Sequence, residues 1–317
     1  MSTSISRRKF IINSALTGSL LPLVSADMFA SKPINNAAMP PIHVFSKHLQ
    51  FLNYDDMAEA AKEIGFDGID LTIRPKGHVE PEKVQEDLPK AVAAMKKVGF
   101  TPSLFCTAVE DSKNAVDKKL LETAAAQGFN YYRMNWYKYQ GNKSIPQFLD
   151  EYRDKIAGLS QLNNKLGLVG CYQNHAGLWC GASMFEIWEI LKKADLKHMG
   201  TQYDIRHATV EGGLSWQTGL KLITPNIKTI VLKDSIWEKV KGKMVATNVP
   251  LGEGMVDFDT YFKILKKNNI QVPISLHFEY PLGGANHGAF ELTVDKKVVF
   301  DAMKRDLAKA KEMWEKA

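Results

Sequence analysis

Four joints along the chain share one local formula, and that repetition constrains the fold more than anything else in the sequence. Glu63-Ile64-Gly65-Phe66-Asp67-Gly68-Ile69, Lys97-Val98-Gly99-Phe100, Ala126-Gln127-Gly128-Phe129 and Lys165-Leu166-Gly167-Leu168 each pass from an amphipathic stretch through a glycine into an apolar segment. Glycine just past a helix end supplies the left-handed conformation that stops the helix, and the apolar residue after it enters a sheet. Helix-to-strand joints repeated in this way belong to parallel βα units.

Extending the pattern predicts strands at 42–46, 68–73, 101–107, 131–136, 168–173, 200–205, 229–233 and 272–280. Helices are expected around 55–64, 81–97, 117–127, 145–165, 182–193, 215–222, 257–267 and 294–316. Eight strand–helix units in a chain of 317 residues are the arithmetic of an α/β protein built as a single (β/α)8 TIM barrel, here spanning 42–317. A doubly wound open sheet is the alternative, but no G-x-G-x-x-G follows the first strand.

The first thirty residues read as an address. Arg7 and Arg8 stand just ahead of an apolar stretch over 11–24, which Ser14, Thr17, Gly18 and Ser19 interrupt and which is too short to span a membrane. Small residues follow at Ser25-Ala26 and Phe29-Ala30. This is the layout of a bacterial twin-arginine signal peptide over 1–30, with the periplasm or its membrane face as destination. Residues 31–41, with Pro33, Pro40 and Pro41, read as an irregular linker.

Apolar residues make up 45% of the chain and charged residues 24%, which excludes disorder and collagen-like repeats. Three cysteines, Cys106, Cys171 and Cys180, form no C-x-x-C pair, so neither a metal finger nor a disulfide-stapled miniprotein is expected, although Cys171 and Cys180 lie close enough in sequence to pair. The net charge of +6 is largely diffuse lysine on helices, a weak argument for an anionic partner. No nucleic-acid partner and no stable membrane span are expected. The oligomeric state is not legible.

In such barrels the chemistry sits on the loops after each strand, and polar residues cluster there. Asp70, Thr72, Arg74 and His78 follow strand two; Arg133, Asn135 and Trp136 lie at strand four; Gln173, Asn174 and His175 end strand five. Asp204, Arg206 and His207 end strand six, Lys233 and Asp234 strand seven, and His277, Glu279 and Tyr280 strand eight. Side chains alternate along a strand, so Cys171, Gln173 and His175 share a face, as do His277 and Glu279. Four tryptophans near strand ends, Trp136, Trp179, Trp216 and Trp237, suit stacking on a sugar ring, with rim packing as the alternative. Gly252-Glu253-Gly254 reads as a flexible turn that could act as a lid.

Gly65-Phe66-Asp67-Gly68-Ile69-Asp70-Leu71 resembles the second-strand signature of the xylose isomerase-like barrels, the superfamily of sugar phosphate isomerases and epimerases, hydroxypyruvate isomerase, inosose dehydratase and endonuclease IV. Gln173-Asn174-His175 is similar to its Glu-Asn-His, Asp204-Ile205-Arg206-His207 to its Asp-x-x-His, Lys233-Asp234 to the end of its His-x-Lys-Asp, and Glu279 to its final Glu. The resemblance implies one divalent ion (Mn, Mg, Co or Zn), which binds two substrate oxygens while a carboxylate removes a C–H proton. Asp204 and Glu279 fit that ligand set. Gln173 stands where the family has Glu, and Val231 where it has His.

Two sites are compatible with those departures. One holds a metal through Gln173, Asp204, Glu279 and either His175 or His207. The other has no metal, with Lys233 supplying the positive charge and a histidine the base. In both, Glu279, Lys233 and His175 are the catalytic candidates, and Arg74, His78, Asn135, Trp136, Arg206 and His277 the substrate-binding ones. The function implied is an exported isomerase or epimerase that takes a proton from the carbon next to a carbonyl of a small carbohydrate. A keto-sugar lyase or hydrolase and a non-catalytic sugar-binding barrel are the alternatives. A two-base ketose epimerase in standard form is disfavoured because Gln173 removes one carboxylate. Endonuclease chemistry is excluded because three zinc ions need more ligands than these strands offer.

Overall fold

In a computed structural model, residues 38–317 are described. The signal peptide expected over 1–30 and the start of the linker lie outside the described residues. The first half of the chain sets strands β1 (Ile42–Phe45), β2 (Gly68–Ile73), β3 (Leu104–Thr107), β4 (Tyr131–Arg133) and β5 (Val169–Gln173). Between them run α1 (Tyr54–Ile64), α2 (Val84–Lys97), α3 (Ala115–Ala126) and α4 (Ile145–Leu166). The second half adds α5 (Met184–Ile190), β6 (Met199–Asp204), α6 (Ile205–Gly212), α7 (Trp216–Ile223) and β7 (Ile227–Leu232). A hairpin, β8 (Asp234–Val240) and β9 (Lys243–Val249), precedes α8 (Phe258–Lys267), β10 (Ile274–Leu276) and α9 (Lys296–Lys316).

Eight of these strands close into a parallel barrel in the order β1-β10-β7-β6-β5-β4-β3-β2. The expected single (β/α)8 barrel is therefore the observed fold. All four joint glycines adopt positive φ, between 72° at Gly167 and 103° at Gly65. Helix starts are capped by side chains: Asn53 Oδ1 accepts from Asp56 N, Asn114 Oδ1 from Val116 N, and Asp257 Oδ1 from Thr260 N. Helix faces bury Leu88, Leu121, Ile156 and Leu307 against Val44, Ile69, Phe105 and Leu232 of the barrel wall, forming one continuous apolar shell.

Three expectations need correction. The hairpin β8–β9 was not foreseen; it pairs Asp234 through Val240 with Val249 through Lys243 outside the barrel. Its turn is Lys241-Gly242, with φ of 48° and 83°, the two-residue geometry that a hairpin requires. Cys171 and Cys180 do not pair; all three cysteines are free and buried. Nor is 252–254 a loose lid. Asp234 carboxylate oxygens accept from the backbone of Ser235, Gly252, Gly254 and Val256 at 2.8 to 3.2 Å. A Cβ at Gly254 would lie 2.1 Å from Asp234 Oδ1, so only glycine passes there. Among the described residues no helix is long and apolar enough to cross a membrane.

Candidate active site

Strand ends bring the polar side chains to one mouth, where two cavities adjoin. The inner one, about 50 Å³, is lined by Phe45, Lys47, Gln173, His175, Lys233, His277 and Glu279 together with Arg74, Arg133 and Trp136. The outer one, about 490 Å³, shares those last three and adds Gln50, Lys76, Thr107, Asn135 and Phe290.

Glu279 sits between two ammonium groups. Lys47 Nζ donates to Oε1 at 2.8 Å and Lys233 Nζ to Oε2 at 3.0 Å. Lys233 also pairs with Asp204 Oδ2 at 3.1 Å and lies 2.9 Å from His207 Nε2. Burial alone would raise the Glu279 carboxyl, but Lys233 and Lys47 outweigh it and hold that group well below the usual carboxylate range. Burial pushes the Asp204 carboxyl up, against the opposing pull of Lys233 and the His207 backbone N–H. Lys47 is lowered by its own burial, which Glu279 resists.

Asp204 does two jobs at once. Its Oδ1 caps α6 by accepting from His207 N at 3.1 Å, while Oδ2 accepts from Gln173 Nε2 at 2.8 Å and faces Lys233. One oxygen of Asp204 therefore caps a helix while the other faces the mouth. Gln173 is spent in the same way: Oε1 accepts from Arg133 Nη1 at 3.2 Å and its amide N–H from the other side goes to Asp204.

The histidines are neutral, and partners set the tautomers of His175 and His277. His175 Nδ1 lies 2.8 Å from the Ala176 carbonyl, so Nδ1 carries the proton and the Nε2 lone pair is left basic. Burial, and then Lys233, lower His175 to about 4. His207 lies between two donors, Lys233 Nζ at 2.9 Å from Nε2 and Arg206 Nη1 at 3.2 Å from Nδ1, and as a neutral imidazole it accepts from one of them. Ser275 Oγ donates to Asp70 Oδ2 at 2.6 Å and accepts from His277 Nε2 at 3.1 Å. That leaves the His277 Nδ1 lone pair facing Glu279 Oε1 at 3.8 Å, without a hydrogen-bond partner among the described residues. His277 also stacks on Phe45 at 4.3 Å.

Of the expected ligands, Asp204, His207 and Glu279 thus converge, but on the Lys233 ammonium, and Gln173 joins them through Asp204. A divalent ion wants hard, deprotonated donors. Here the amide oxygen of Gln173 points to Arg133, its N–H group points at Asp204, Val231 offers only methyl groups, and Lys233 Nζ stands within 3.1 Å of both carboxylates. Among the described residues no group of three or more His, Cys, Asp or Glu is arranged to hold a metal. The donor set does not fit the ion.

Of the substrate-binding candidates, Arg74, Trp136 and His277 reach the inner cavity and Asn135 the outer one. The structure does not bring His78 or Arg206 to either. His78 Nε2 meets the Leu49 carbonyl at 3.2 Å and Nδ1 meets Ser46 Oγ at 3.2 Å, so it braces the loop after β1. Arg206 is behind His207 and donates to Ala246 O at 2.7 Å, holding the hairpin. Trp179 packs on Trp136 at 5.8 Å, whereas Trp216 packs on Tyr261 and Trp237 is exposed on β8. Lys47 was missed, although it follows β1 as the other candidates follow their strands. Arg133 was noted at strand four but given no role.

A parallel barrel whose polar residues meet at the strand ends defines the class. Residues 58–293 match the family described as xylose isomerase-like TIM barrel, and the chain belongs to that family. Among solved structures it is similar to D-psicose 3-epimerase in the presence of D-fructose, with TM-score 0.65 and 12% identity over 87% of this chain and 99% of that one. The apo form of 3-keto-D-glucoside 4-epimerase from E. coli gives TM-score 0.64 and 14% identity over 85% and 99%. A xylose isomerase-like barrel protein from Mycobacterium smegmatis in complex with magnesium gives 0.59 and 12% over 84% and 98%. At these identities the likeness is one of fold. No curated protein sequence matches.

Proposed function

We propose that this mouth is the active site of an isomerase- or epimerase-like enzyme that removes a proton from the carbon next to a carbonyl of a carbohydrate. The proposal places the ammonium groups of Lys233 and Lys47 where relatives of this fold place a divalent ion. The observation that carries it is Lys233 Nζ at 3.0 Å from Glu279 and 3.1 Å from Asp204. Two ammonium groups on one carboxylate bring the charge of a divalent cation without an exchangeable ion. Fixed positive charge beside a developing enolate oxygen lowers the barrier to its formation, because the site need not reorganise as the charge appears. In this reading Glu279 takes the proton and the ammonium groups balance the enolate. Protonated Glu279 then delivers the proton back to the enolate, directly or through the unprotonated Nε2 of His175, and Asp204, held by Gln173, fixes Lys233. Similarity to two sugar epimerases and membership of the family support the substrate class. The chain is further proposed to be exported by the twin-arginine route, which cell fractionation of an Arg7→Lys, Arg8→Lys double variant would test.

The deciding experiment follows deuterium from solvent into a panel of ketoses and keto-sugars by proton NMR, with and without chelator. Exchange that persists in chelator and is lost in Glu279→Gln is the expected result. Exchange only after added Mn²⁺ would restore the metal reading. Binding without exchange on any member of the panel would make the protein a sugar-binding barrel.

A further inference from the structure

The cations of this mouth outnumber its carboxylates. Arg74, Lys76, Arg133, Lys47 and Lys233 line the two cavities against Glu279 alone. Lys47 and Lys233 are balanced by Glu279 and, from behind, Asp204. Arg74 and Arg133 make no ion pair with any described residue. Arg133 is the more telling of the two, at 5% exposed. Its face lies 4.2 Å over Trp136, Nη1 donates to Gln173, and Nε has no hydrogen-bond partner among the described residues. The Asp70 and Glu279 carboxylates act on Arg133 only from beyond contact distance, and its planar fork matches carboxylate or phosphoryl oxygens. Arg74 reaches the same junction of the two cavities, its guanidinium 5.5 Å from the Phe45 ring. The outer cavity, about 490 Å³, is large enough for a hexose-sized ligand.

Resting on the carbohydrate reading above, we infer that the substrate is an anionic carbohydrate whose carboxylate or phosphoryl group is held between Arg74 and Arg133. Its carbonyl end then reaches Glu279 and Lys233 in the inner cavity. The anion completes the Arg133 fork, and Trp136 offers the sugar an apolar face beside it.

Calorimetric titration of the purified protein with D-glucose, D-glucuronate and D-glucose 6-phosphate tests this without requiring turnover. The expected result is that at least one of the two anions binds about tenfold or more tightly than glucose, with a preference that shrinks as salt rises. Glucuronate alone would assign the carboxylate, and the phosphate ester alone the phosphoryl group. Arg74→Gln should abolish the preference for the anion over glucose, while Arg74→Lys, which keeps charge without the fork, should restore part of it. Arg74 is only half-buried, and an unchanged Tm would show that its variants fold. Equal affinity for all three sugars, no binding of either anion, or a preference that survives in both Arg74→Gln and Arg133→Gln would overturn the inference. Tight anion binding without deuterium exchange would leave it standing and sink the enolising reading. Exchange into neutral ketoses without any anion preference would do the reverse.

Discussion

Replacing Lys233 by methionine would leave Asp204 and Glu279 facing one another across the mouth with no ammonium between them. Removing one partner of a buried ionic cluster typically costs on the order of 3 kcal/mol or more. Urea unfolding of Lys233→Met should show a loss of that size, and Asp204→Asn in the same background should recover part of it. The complementary change, Glu279→Gln, strips the carboxylate from two ammonium groups, and deuterium exchange should fall by about a hundredfold or more. A smaller loss would move the base to His175, which His175→Ala would then reveal. Most of these side chains could be found in the sequence because each follows a strand. What could not be found was which group each oxygen serves. Asp204 caps α6 with one oxygen and meets Gln173 and Lys233 with the other, and only the positions of His207, Gln173 and Lys233 distribute its lone pairs.

At the scale of elements, the loop over 250–256 is tied by Asp234, which accepts from Gly252, Gly254 and Val256, and by Asp306, which accepts from Leu251 N. Asp234 Oδ1 and Oδ2 collect four backbone N–H groups, and Gly254 passes close beside them. Asp234→Ala should leave those donors unmatched, at about 1–3 kcal/mol for each that stays buried. Limited proteolysis should then cut near 250–256 while the barrel helices stay resistant; a resistant loop would mean that Asp306 and the hairpin suffice to hold it. The βα joints were legible because glycine with positive φ is a local requirement. The hairpin was harder to see, since Ile236-Trp237-Glu238-Lys239-Val240 follows directly on a barrel strand and reads as loop. Its one local signal was Lys241-Gly242. Helix α6 is hard to read in the sequence because Asp204 both ends strand β6 and caps the helix that follows at once.

For the molecule as a whole, the neutral buried histidines set the response to acid. Burial lowers His43 to about 4 and His277 to about 3, and holds His48 and His207 well below the ordinary imidazole range. Unfolding returns each to about 6.5, so between about pH 6.5 and 4 the unfolded chain binds more protons than the fold. Stability therefore falls as pH drops through that window, by at most about 1.4 kcal/mol per pH unit for each histidine. Asp70, raised by burial to about 6, and Asp204, also raised, act in the opposite sense by binding protons in the fold. His78 and His175, each lowered to about 4, add to the histidine side, so net proton uptake on unfolding near pH 5 is expected, which calorimetry in buffers of different ionisation enthalpy would measure. Proton release instead would mean that the carboxyl groups dominate.

From sequence alone, the glycine joints and the strand–helix period determined a parallel barrel, because backbone chirality and apolar periodicity act over a few residues. The strand ends then told where chemistry could be, and the Gln173 and Val231 departures already put a metal in question. Only tertiary structure decided what fills that place. Lys47 from the turn after β1 and Lys233 from the end of β7 are 186 positions apart in the chain, and they meet on Glu279 because the barrel closes β10 between β1 and β7. The charge balance of a mouth depends on distances between residues remote in sequence, and Coulomb energies at a few ångströms are invisible to local pattern.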